Sequence, residues 1–357
     1  MRRAGGAWGA LLLLLTAMAL SAGCVEHTPG GGEQGRVPMA VLGDSNSHSY
    51  QDRVSFPPGS GERGGAHRAR TFQWTEVLAR LRPEAIDPGP WEASGHSKPW
   101  VYLRSLIGLP EPRAPRKEDY RFNFANSGAG CSALAQGLYH QVPHLLAEMA
   151  TAPDRWAHGV VVLRISNVDF GGADFLDALA ADAAAPEPNA VIDRCVRHID
   201  RAVANIRAAQ PAVHIVLVGT FDEAHDPLDF ERVKTRAALD NVAHGMDRFD
   251  NALRGIVKRT PGTSFFDDRA WFRGLWGGRA ADGTPAYRTV RIGDRLAVSN
   301  SLGDGPEHAL LADDHAGLVW NTLWAQALSQ HLHDQAHLPV APITDEEVRR
   351  FVLGLLG

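Results

Sequence analysis

The chain has 357 residues, 44% of them hydrophobic and 22% charged, with a formal net charge of −5. That length and apolar fraction supply one large core or two modest ones and leave no long disordered tract. A mildly acidic chain has no electrostatic footprint for nucleic acid, which removes that class of partner.

Arg2 and Arg3 precede an apolar run from Leu11 to Leu20, followed by Ser21, Ala22, Gly23 and Cys24. A positive start, a short apolar segment and small residues predict a secretory signal peptide over 1–23. The run is too short to span a bilayer comfortably. The cysteine that closes it resembles the lipobox cysteine of bacterial lipoproteins, with Ser21 standing where that motif usually has Leu. The resemblance implies lipidation at Cys24 and an exported protein, periplasmic or on the cell surface, held to a membrane. An ordinary signal peptide with an incidental cysteine, and a protein secreted free, is the alternative. Residues 24–37, with four glycines, predict a flexible tether. Export permits a disulfide between Cys131 and Cys195, and two separate buried thiols are the other reading.

The main domain, 38–335, alternates strand-like and helix-like runs. Met39–Leu42 is an apolar run closed by Gly43, and Phe122–Ala125 is a second short strand candidate. Val160–Ile165 is the strongest β run, Ile215–Val218 follows, and Ser264–Phe266 is a last strand. Helices are predicted over 72–81, over 132–149 with Pro143 as a kink or restart, and over 190–209. Further helices are predicted over 228–257 and 315–332. Residues 51–71 and 84–120 break the alternation and predict long loops or a small cap. The tail, 336–357, predicts a terminal packing helix, capped by Thr344 and Glu347 with Ile343 stapled on Val348. Fully apolar strands separated by helices predict an α/β fold with a parallel sheet covered on both faces. Its site then lies beyond the carboxyl ends of the strands, after Leu42, Ala125 and Ile165.

Four segments fall there or near the end. Gly43-Asp44-Ser45 puts a serine on a tight turn after the first strand, a place for a nucleophile. Asn126-Ser127-Gly128 opens a turn of small residues whose backbone N–H groups can approach an oxyanion. Asn167 follows the strongest strand, and Asp313-Asp314-His315 supplies an acid and a base before the last helix.

The order of these blocks resembles the SGNH (GDSL-like) hydrolases over about residues 38–335. The resemblance implies a three-layer αβα, flavodoxin-like sandwich with a five-stranded parallel sheet and a serine esterase acting through an acyl-enzyme. It implies Ser45 as nucleophile and His315 as base. The oxyanion hole would come from the Ser45 N–H, the Gly128 N–H and the Asn167 side chain. Two blocks depart from the pattern: the family reads Gly-x-Asn-Asp where Asn167 has Ile165 two before it and Val168 after it. The family also places Asp three before His, where this chain has Ala312. Asp313 is then the orienting acid, with Asp314 the alternative and Asp304 a remote one.

No cofactor and no metal are expected: sixteen histidines include no close ligand set. His48 reads as a loop residue lining the cleft, and His140 and His144 as a surface pair. Trp91 and Trp100 read as an aromatic wall or as loop packing anchors. The expected partners are an ester of a polysaccharide, a lipid or a small alcohol, and the membrane. A non-catalytic glycan-binding lipoprotein and an O-acyltransferase on the same fold are the alternatives.

Overall fold

A computed structural model describes residues 35–357, apart from residues 108, 110, 111, 231 and 281. The signal sequence, Cys24 and nearly all of the tether lie outside the described residues. Five parallel strands form the central sheet: β1 (Val37–Gly43), β2 (Ile86–Asp87), β3 (Val160–Arg164), β4 (His214–Val218) and β5 (Thr263–Phe266). Their order is β2-β1-β3-β4-β5, so the chain reverses its direction of winding between β1 and β3. A crevice opens at such a reversal, beyond the carboxyl ends of the two strands.

The strands are apolar on both sides because both faces are covered. Met39, Val41, Val160, Val162, Val216 and Val218 point into one core. There they meet α1 (Trp74–Leu81), α5 (Leu318–Asp334) and α6 (Asp345–Leu356). Ala40, Leu42, Val161, Leu163, Ile215 and Leu217 point into the other. That core is closed by α2 (Gln141–Thr151), α3 (Pro186–Ala209) and α4 (Arg236–Arg259). The result is the three-layer αβα sandwich. α5 is buried nearly all round, between the sheet and α6, which explains why Asn321 and Thr322 carry no exposure. The capping box of Thr344 and Glu347 is formed.

Several sequence expectations are corrected. Phe122–Ala125 is not a strand: it touches β1 by a single bridge, Val41 to Asn123, and the two-residue β2 takes the edge beside β1's start. The run turns away at once into Asn126-Ser127-Gly128, leaving no length for a ladder. The helix expected over 132–149 is a short 3-10 turn (Cys131–Leu134) and then α2, so Pro143 lies in the first turn of a new helix. Residues 228–230 and 232–235 are not helical; α4 starts at Arg236 behind the cap Thr235. Residues 84–120 hold an antiparallel pair, Trp91–Ser94 with Lys117–Tyr120, and a helix, Lys98–Leu106. Between α4 and α5, short strands at Gly277–Arg279, Pro285–Tyr287, Val290–Ile292, Leu296–Leu302 and His308–Leu310 form two small sheets that the sequence did not announce. Cys131 and Cys195 form a disulfide, Cα atoms 5.1 Å apart, tying the second-block turn to α3. Among the described residues no helix is long and apolar enough to cross a membrane.

Candidate active site

The turn after β1 is held from every side. Gly43 is required there because a Cβ would lie 2.4 Å from the Arg164 carbonyl oxygen on β3. The Asp44 carboxylate, 1% exposed, accepts from the N–H groups of Asn46 (2.9 Å), Ser166 (3.2 Å) and Asn167 (3.1 Å). It therefore staples the first block to the third. Burial pushes this carboxyl up, against the pull of those N–H groups and Arg164. The carbonyls are taken as well. Gln73 donates to Ser45 O, Trp74 Nε1 and Arg164 to Asn46 O, and Asn123 to Ser47 O. Arg164 is fixed in turn by the buried Asp268 at 3.0 Å and by the face of Trp324. Ser45 thus rides on a rigid elbow, 8% exposed.

The edge of β1 facing away from β3 is completed by a side chain. Val41 N–H donates to Phe122 O and Val41 O accepts from Phe124 N–H. At the next outward residue, the buried Gln141 amide accepts from Gly43 N–H and donates to Gly43 O, both at 2.8 Å. One side chain replaces the missing strand.

His315 lies on the loop before α5. Its Nδ1 is 2.7 Å from the Asp313 carbonyl oxygen and 3.3 Å from the Asp313 carboxylate. Burial opposes ionisation of Asp313, but the hydrogen bond with His315 and the charge of Arg63 hold its carboxyl far below the usual range. Asp314, with φ 64°, turns the other way and is pushed up to about 6 by burial. Asp304 accepts from the Ala312 N–H and does not approach the histidine by a hydrogen bond. Among the described residues, Ser45 Oγ and His315 Nε2 have no hydrogen-bond partner. Their neighbours Asn46 and Ala316 line one cleft, together with Asn167, Arg164, Phe221, Glu223, Asp226, Leu310, Asp314 and Trp320. Gly128 is exposed in a left-handed conformation, φ 79°, where a side chain would be strained. Val168, which stands where the Gly-x-Asn-Asp pattern has its Asp, is 45% exposed at the surface.

Arg63, missed in the sequence, and His48, read there as lining the cleft, sit against these residues. Arg63, 3% exposed and stacked on Phe56, donates to the Asp313 carboxylate at 2.5 Å and to Ser127 Oγ at 3.3 Å. Its Nη1 is also 2.9 Å from His315 Nδ1. His48 does not line the cleft as expected: it is 1% exposed. Its Nε2 faces the Asp52 carboxylate at 2.9 Å, and its Nδ1 accepts from the Ser127 N–H at 3.2 Å. Burial and the charge of Lys117 push the His48 pKa down, so it is a neutral ring that braces the second-block turn from below. Lys117 and Asp119 form a fully buried ion pair at 2.8 Å beside it, and Lys117 also donates to Ala125 O. The alternation Lys117-Glu118-Asp119-Tyr120, buried at every second residue, was the signal for this inward-facing polar strand.

The expected aromatic wall is not part of the cleft: Trp91 and Trp100 are 37% and 47% exposed elsewhere, Trp91 packed edge-on to Tyr120. Among the described residues, the one group with metal-ligand spacing is Cys131, Asp169 and Cys195, and its two sulfurs are spent in the disulfide.

No family model matches the chain, and no curated protein matches it. Among solved structures it is similar to a mutant of an acetyl-xylooligosaccharide esterase from Geobacillus Stearmophilus. That match has 14% identity over 84% of this chain and 95% of that one, with a TM-score of 0.40. It is also similar to an extracellular lipase from Streptomyces rimosus, at 15% identity over 70% and 86% with a TM-score of 0.35. A lipase from a goat rumen metagenome matches at 13% over 70% and 90%, TM-score 0.32. At these values the likenesses assign no function, and the case rests on this chain's own residues.

Proposed function

We propose that the protein is an exported serine esterase of the SGNH type that hydrolyses carboxylic esters through Ser45, His315 and Asp313. One observation carries the reading. A serine on a rigid elbow after β1 and a histidine braced by an aspartate stand at the same end of the sheet, their neighbours Asn46 and Ala316 lining one cleft. In the reaction, His315 Nε2 takes the Ser45 proton as Oγ attacks the ester carbonyl, while Asp313 holds the Nδ1–H. The oxyanion is received by the N–H groups of Ser45 and Gly128 and by the Asn167 amide. His315 then protonates the departing alcohol, an acyl group remains on Ser45, and water repeats the cycle. Export suggests acylated polysaccharide, lipid or small esters, with Cys24 as the lipid anchor. The Cys131–Cys195 disulfide fits an oxidising compartment.

A second reading, a non-catalytic binder, is favoured by Arg63. A guanidinium only donates, so if His315 Nδ1 accepts from it, Nε2 carries the proton and cannot take another from Ser45. The test is labelling of the protein by a fluorophosphonate, beside Ser45→Ala and Arg63→Met. Labelling of wild type but not of Ser45→Ala supports the esterase. Labelling that appears only in Arg63→Met supports a triad held off by the arginine. No labelling of any of them, with the fold intact, overturns the esterase reading.

A further inference from the structure

The cleft beside the elbow is unusual in charge. It leaves about 30 Å³ for the centres of water-sized guests, and three carboxylates line it: Glu223, Asp226 and Asp314. Glu223 and Asp226 are 4% and 5% exposed. Glu223 Oε1 is shut from solvent and has no hydrogen-bond partner. Trp320 also lines the cleft, is 2% exposed, and its indole N–H has no partner either. An acceptor and a donor, both buried and both unmet, belong to residues that line the same cleft. Each such group costs about 1–3 kcal/mol unless something fills its bond.

The cations nearby are engaged. Arg164 lines the cleft, but its guanidinium is bound to Asp268 and Asn46 O. Arg273 pairs with Asp222, and Arg232 with Asp229 and Asp177. Arg279 donates to the carbonyls of Ala224 and Phe230 and stacks on the Phe230 ring. After burial, what raises Glu223 is the charge of Asp226, Asp229, Asp314 and Asp222, all acids. Asp226 is raised to about 8, by burial first and then chiefly by Asp314, Asp229 and Asp222, against the Leu228 N–H. The acids therefore either carry protons or wait for a positive guest. A compact metal ion is the poorer guest, because the three carboxylates do not gather within 4.8 Å of one another. A primary ammonium suits spread acceptors better: it offers three N–H bonds in different directions and is attracted to an indole face.

We propose that this cleft binds a primary ammonium group carried by the ester, so that the enzyme prefers aminoacylated or amino-sugar esters over their neutral counterparts. The proposal rests on the esterase reading for its kinetics.

Two matched pairs test it and separate the two halves of the ester: alanyl against propionyl glycerol, and 6-O-acetylglucosamine against 6-O-acetylglucose. In at least one pair kcat/KM at pH 7 is expected to favour the charged ester by about tenfold or more, the scale of one charge-assisted hydrogen bond. In Glu223→Gln and in Asp226→Asn that ratio falls toward the ratio given by hydroxide alone, which removes the intrinsic reactivity of an aminoacyl ester. Two variants are used so that misfolding of one does not decide the matter. A wild-type ratio equal to the variants' in both pairs overturns the proposal. If no ester is turned over at all, the esterase reading has failed separately. Calorimetric titration of the Ser45→Ala protein with alaninol and glucosamine, each against its neutral analogue, then decides. Saturable binding of an amine that Glu223→Gln abolishes supports the cleft, and its absence overturns it.

Discussion

Replacing Gln141 by methionine tests whether one side chain stands in for a strand. Methionine keeps the length and most of the volume but removes the amide. Gly43 N–H then loses its one partner among the described residues, at a buried place, at about 1–3 kcal/mol. Gly43 O loses one donor but keeps the Asn126 N–H at 3.2 Å, so its loss is an ordinary hydrogen bond, about 0.5–1.5 kcal/mol. The sum is about 1.5–4.5 kcal/mol, large against a total stability of about 5–15. Equilibrium urea unfolding measures it, with the denaturant slope unchanged. The rate of fluorophosphonate labelling should fall too, because Gly43 is two residues from Ser45. Destabilisation under about 1 kcal/mol would refute the reasoning, since it would mean that water or a small shift satisfies Gly43 as well as the amide does.

Asp313→Asn is expected to lower kcat on a neutral ester by about a hundredfold or more, and Asp314→Asn by less than about tenfold, as a difference between orienting the base and lining the cleft. His214 and His331 share the Ser264 hydroxyl, at 2.9 and 2.8 Å, and burial lowers both to about 4. The folded state therefore binds fewer protons than the unfolded one between pH 6.5 and 4. Their contribution is full above pH 6.5 and is lost as pH falls toward 4, a slope in urea midpoint that His214→Asn with His331→Asn should flatten. Breaking the Cys131–Cys195 link by Cys195→Ser and Cys131→Ser should cost about 2–4 kcal/mol in the same assay.

The layers of the sandwich were legible because buried parallel strands are continuous apolar runs, as in Val160–Leu163. Phe122–Ala125 has the same look, yet the turn at Asn126 cuts it short, and composition alone does not measure length. The small sheets between Gly277 and Leu310 were hidden because Leu296–Leu302 is nearly half polar and strands such as Val290–Ile292 and His308–Leu310 have three residues each. At the site, the elbow serine and the loop histidine stood out by position. What fixes them did not: Gln141, His48, Asp52 and Arg63 are polar residues on helix starts and loops, and their burial comes from distant chain segments. The sequence preferred Asp313 with Asp314 as the alternative; in the fold the Asp313 carboxylate lies 3.3 Å from His315 Nδ1, and Asp314 has a left-handed backbone.

The elbow carrying Ser45 is tied down by residues 73–74, 123, 141 and 164, four separate stretches of the chain. None of them can leave its place without freeing one of the turn's peptide groups. Heat inactivation should accordingly coincide with loss of the whole fold, with no temperature interval in which the protein remains folded but dead. Catalytic activity, if measured through a melt, would then serve as a thermometer of the entire sandwich.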